Sequence, residues 1–132
     1  MGIGGHRMSE VEKMYENAGI KAKWKDKRVK NTKTYYTEEQ AKYLRQTTKN
    51  RNIQLLYPPF TAEKQIAILQ LLTQRCDLTI SHFTEWEFIH YDGQEPLEIT
   101  GTDFVETFAK LINAYWQDLT EQDRTEIAEI LK

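Results

Sequence analysis

The sequence predicts an α+β fold: a helix-rich single domain of four or five helices with one small antiparallel β-hairpin. Three observations lead there. "AEKQIAILQLLTQR" and "TDFVETFAKLINAYWQDL" repeat apolar residues at helical spacing. "DLTISHFTEWEFIHYDGQEPLEITG" alternates instead, with turn chemistry inside it. A length of 132 residues, 39% hydrophobic and 29% charged, suits one domain able to bury a real core.

Each element follows from its local chemistry. Residues 1–7 are set aside as a leader or expression remnant, because Met8 stands directly before a helix signal. Ser9 and Glu12 have capping-box spacing, and Val11, Met14, Tyr15 and Ala18 form one stripe that Gly19 stops. From Ile20 the period becomes two: Lys21, Lys23, Lys25 and Lys27 alternate with Ile20, Ala22, Trp24 and Asp26. This predicts an extended or mobile segment over 20–36 with one charged face. "TEEQ" at 37–40 is a second capping box, opening a polar helix to about 48 with Ala41 and Leu44 inward. "IQLLYPP" reads as a polyproline-like entry, since each proline pushes its predecessor to extended backbone.

Thr61 caps the central helix, where Ile66, Leu69 and Leu72 make the stripe and Ile68 and Leu71 widen it. Gln65 stands where a hydrophobic staple would need an apolar partner for Phe60, so Phe60 is expected to anchor elsewhere in the core. Trp86, Phe88 and His90 share one strand face, as do Leu97 and Ile99 across the "DGQEP" turn; Leu78 and Ile80 offer a third strand. Phe104, Phe108, Leu111, Ile112 and Tyr115 line the next helix, with Asp103 and Glu106 at its positive end. Thr120 caps a last helix whose Ile127, Ile130 and Leu131 close the core.

Three segments together carry a resemblance: "VEKMYENAGI" at 11–20, "YPPFTAEKQ" at 57–65 and "INAYWQDLTEQDRTEIAEILK" at 112–132. The chain resembles small proteins encoded by phages and prophages of Gram-positive bacteria. In that group a helix ending in "YENAGI" precedes a variable stretch, then the "YPPF" helix, then a closing pair of the "WQ-LTEEE" type. The resemblance covers both ends and the central helix. It implies a phage protein acting in the cytoplasm of a bacterial host, and it supplies no catalytic residue.

Enzyme chemistry finds little footing, so a non-enzymatic protein is expected, with no cofactor and no metal. His82 and His90, near Glu85, Glu87 and Asp92, lack any metal-binding spacing, and His6 lies in the leader. The lone Cys76 cannot form an internal disulfide, which fits a reducing compartment. At the end of an apolar helix it reads as a small buried hydrophobe. "GIGG" at 2–5 has no P-loop pattern, no run approaches the ~18 apolar residues of a membrane span, and no secretory h-region is present.

Charge is the remaining signal. The formal net charge of −2 hides 13 Lys and Arg against 6 Asp and Glu in residues 1–60, and 5 against 14 in residues 61–132. Segregation of this kind points to a polyanion, to an acidic protein surface, or to neutralisation within or between copies of the chain. A nucleic-acid contact would use Lys21, Lys23, Trp24, Lys25, Lys27, Arg28 and Lys30, with Trp24, Tyr35 and Tyr36 stacking on bases. Arg45 and Lys49, four apart, extend the patch together with Arg51. The alternative is a protein–protein module that blocks a host or defence complex, and stacking of basic strip on acidic hairpin would give a homo-oligomer.

Overall fold

The computed structural model describes residues 8–28, 35–75, 77–91 and 96–132. The fold is α+β. In chain order its elements are α1 (Glu10–Asn17), β1 (Lys23–Asp26), α2 (Glu38–Thr47), β2 (Ile53–Leu56), α3 (Ala62–Arg75), β3 (Asp77–His82), β4 (Trp86–Tyr91), β5 (Leu97–Gly101), α4 (Phe104–Tyr115) and α5 (Glu121–Leu131), with a short 3₁₀ turn at Trp116–Asp118. They fall into two compact units, Met1–Gly19 with Phe60–Lys132, and Ile20–Pro59. The expected leader, Cys76 and most of the "DGQEP" turn lie outside the described residues.

In the larger unit the caps form as read. The Ser9 hydroxyl accepts from the Glu12 N–H and the Glu12 carboxylate from the Ser9 N–H, both at 3.1 Å, closing the capping box of α1. Gly19 takes φ 76°, the left-handed turn that lets the chain leave that helix. Thr120 caps α5, and Asp103, expected only as negative charge at the positive end of α4, also caps that helix by accepting from the Glu106 N–H at 2.8 Å. β3, β4 and β5 make an antiparallel sheet in which Phe88 pairs with Ile80 on one side and Ile99 on the other. The buried side of that sheet meets α4 through aromatic rings: Phe88 lies 5.5 Å from Phe104 and 5.8 Å from Phe108. Phe60 does anchor in this core, stacked 6.2 Å from Phe108, while Gln65 donates to the Phe60 carbonyl at 2.9 Å.

Polar clasps fix the helices around this core. Val11 N–H donates to Glu106 at 3.0 Å, and the Asn113 amide donates to the Glu10 carbonyl at 2.9 Å, joining α1 to α4. Arg75 reaches the buried carboxylate of Asp123 at 3.1 Å, and Lys64 donates to the last-turn carbonyl of Leu131 at 3.0 Å. Both link α3 to α5, and burial lowers the pKa of Lys64. One reading of the central helix is corrected. Ile66, expected in the stripe, is 54% exposed, whereas Ile68, Leu71 and Leu72 are buried as expected. The inward face is therefore turned from the stripe that starts at Ile66.

The smaller unit is a two-stranded sheet with one helix. Residues 53–56 form strand β2, antiparallel to β1, where the prolines had suggested a polyproline entry. Prolines 58 and 59 follow the strand and end it. Trp24 pairs with Leu55 on one side and bridges Tyr36 on the other. Thr37 and Gln40 complete the capping box of α2, which buries Ala41; Ile53 is buried on β2.

Candidate nucleic-acid interface

The charge split coincides with the structural division. Residues 20–59 hold 11 Lys and Arg against 3 Asp and Glu, whereas the other unit holds 7 against 17. Within the basic unit Lys21, Lys23, Lys27, Lys42, Arg45, Lys49 and Arg51 are exposed.

Not every cation in the basic stretch faces water. Lys25, expected on the charged face, is 6% exposed. Tyr35 covers this side: the ammonium of Lys23 lies 4.6 Å from the Tyr35 ring centroid and that of Lys25 5.7 Å. Arg28 is exposed but engaged. Its Nη2 stands 2.6 Å from Asp26 Oδ2, its Nε 3.0 Å from Oδ1, and its backbone N–H donates to the same Oδ1 at 2.9 Å. This forked hydrogen bonding holds the Asp26 carboxyl well below the usual carboxylate range. Lys25 and Arg28 are thus poorer contacts than the alternation implied. Lys30 lies outside the described residues.

Helix α2 supplies what the stretch lacks. The guanidinium of Arg45 sits 5.5 Å over the Trp24 ring, a cation–π contact that ties the helix to β1. Lys49 does not continue the face of Arg45. The helix ends at Thr47, where the Thr47 and Thr48 hydroxyls donate to the Tyr43 and Leu44 carbonyls; Lys49 then turns left-handed at φ 53°. The basic partners of Arg45 are Lys42 and Arg51, which with Gln46 line a groove of about 360 Å³. A second groove of about 410 Å³ is lined by Tyr36, Glu39, Gln40, Tyr43 and Leu44. Tyr43, 65% exposed, was not singled out from sequence, because a lone tyrosine in a polar helix reads as surface. No sequence spacing marks its partner, because Tyr36 lies before the cap of α2, bridged to Trp24, and not on the helix.

The other candidates are not gathered into sites. The β3–β4 register sets His82 opposite Trp86 and His90 opposite Leu78, at opposite ends of the hairpin. His82 packs on Trp86 at 4.5 Å, and the buried His90 on Tyr115 at 3.7 Å. Among the described residues no cluster of three or more His, Cys, Asp or Glu is arranged to hold a metal. Among them also, no helix is long and apolar enough to cross a membrane. No family model, curated protein or solved structure matches the chain.

Proposed function

We propose that this is a non-enzymatic protein that binds nucleic acid through its basic unit, largely by phosphate contact. The observation that carries this reading is the concentration of exposed cations in one compact unit, with Lys23 against the Tyr35 ring, Arg45 over Trp24, and a groove lined by Lys42, Arg45 and Arg51. Lysine and arginine bind phosphates by releasing condensed counterions, so no base-specific motif is needed. The phage resemblance would set this activity inside a bacterial host. Fluorescence anisotropy with labelled DNA and RNA across a salt series tests it. Affinity is expected to fall steeply, log K losing about 0.7–0.9 per contacted phosphate per log unit of salt. No binding at about 50 mM salt removes the proposal.

A second reading is favoured by one residue. Phe83, at the three-residue turn between β3 and β4, is 95% exposed beside Glu85. An aromatic ring so fully presented suits an anchor for a host protein. That reading expects a nuclease-resistant complex that Phe83→Ser abolishes. A complex indifferent to this change dismisses the hairpin as its site.

A further inference from the structure

We infer that α2 takes single-stranded nucleic acid, with an unpaired base seated between Tyr36 and Tyr43 and the adjoining phosphates along Lys42, Arg45 and Arg51. The inference rests on the nucleic-acid reading above and names the form of the ligand.

The two grooves share one helix but differ in chemistry. At 100° per residue, Lys42, Arg45 and Gln46 occupy one side of α2, and Glu39 and Tyr43 the side next to it. Lys42 and Tyr43 are chain neighbours, so a cation and a ring lie side by side, as a nucleotide's phosphate and base do. The aromatic groove, at about 410 Å³, falls within the size range of small-ligand sites. Its walls are two tyrosines and Leu44, and its polar groups are Glu39 and Gln40. Gln40 Oε1 already accepts from the Thr37 N–H at 3.0 Å, which leaves its amide N–H₂ to donate. The carboxylate of Glu39 can accept from an exocyclic amine. A base edge supplies the complement to both.

Acidic residues limit the alternatives. Glu38 and Glu39 occupy the first turn of α2. They repel phosphate from that end and leave the later turns, with Lys42 and Arg45, as the backbone path. A duplex keeps its base faces stacked inside, so it could use the cations and not the tyrosine groove. Stacking on exposed rings is the contact that only unpaired bases can make.

The test is anisotropy with four labelled probes of about 12 nucleotides: single-stranded DNA, single-stranded RNA, the duplex, and a fully abasic strand. Single strands should bind at least about 5-fold more tightly than the duplex or the abasic strand. Tyr43→Ala should lose the same factor on single strands only, and Tyr43→Phe should keep it. Circular dichroism checks folding, which an exposed tyrosine should not upset. Preference between the DNA and RNA arms identifies the sugar. Equal binding of abasic and ordinary strands, or tighter binding of duplex, overturns the base site and leaves the phosphate reading standing. Failure of every probe to bind at low salt overturns both.

Discussion

Arg45 and Trp24, twenty-one residues apart in sequence, meet with the guanidinium 5.5 Å over the indole ring. The contact holds an always-charged side chain at the mouth of the basic groove while the planar fork stays open to phosphate. Arg45→Ala should therefore weaken nucleic-acid binding uniformly across sequences and reduce the salt slope by about one phosphate's worth. Arg45→Lys keeps the charge but loses the planar stack, so it should recover the slope and only part of the affinity. Trp24 fluorescence should change in both variants. A salt slope unchanged by Arg45→Ala would remove Arg45 from the phosphate path.

Glu87 predicts how the three-stranded sheet responds to pH. Its pKa is raised above the ordinary 4.5, first by the hydrogen bond with Glu98, then by partial burial and the charges of Glu98 and Glu85, against an opposing hydrogen bond from Ser81. A folded-state pKa above the unfolded one means that folding favours the protonated form. That stabilisation is complete below the unfolded value and is lost as pH rises through the folded one. Glu87→Gln should therefore raise the thermal midpoint at pH 7, and the gap from the parent should close as pH falls below about 4. Added salt should narrow the gap at pH 7, because the repulsion is near the surface. A gap that persists at low pH would assign the effect to packing instead of charge.

Most of the larger unit was legible because its signals are local. Ser9–Glu12 and Thr120 declare helix starts within three residues, as Thr37–Gln40 does for α2 in the basic unit. The alternation of 86–90 and 97–99 similarly marks strands whose partner is a hairpin away. The basic unit resisted reading because its pairings are distant: Trp24 meets Leu55 across thirty-one residues, and nothing in "KWKD" announces that partner. Alternating lysines therefore looked like one solvated face, whereas the ring of Tyr35 lies over Lys25. Charge segregation itself was visible, since it is a sum over residues and needs no contacts. The groove on α2 was not, because it depends on where Tyr36 and Tyr43 come together.

Gly101 ends β5 at a close approach to α4. A Cβ built there would collide with the side chain of Thr107, which is buried and donates to the Asp103 carbonyl at 2.5 Å. Gly101→Ala should cost about 1–3 kcal/mol in urea unfolding, as overpacking usually does. Thr107→Ala removes the obstructing hydroxyl, so the double variant should lose at least about 0.5 kcal/mol less than the sum of the two singles. Strict additivity would show that backbone adjustment, and not this contact, absorbs the added methyl.

Lys49 is the one non-glycine among the described residues with a left-handed backbone, at φ 53° just past the end of α2. A Cβ in that conformation costs roughly 1 kcal/mol, which is why glycine usually holds the position after a helix. Lys49→Gly should accordingly steady the last turn, slowing hydrogen exchange at Leu44 and Arg45 by about 2- to 5-fold, or roughly 0.5–1 kcal/mol. The same change removes an exposed cation at the end of the helix that carries both grooves. If that charge contacts phosphate, the variant should bind nucleic acid more weakly although it is better folded, with a salt slope lower by up to one phosphate. A stabilised variant with unaltered binding would mark the strain at Lys49 as idle and take the residue out of the interface.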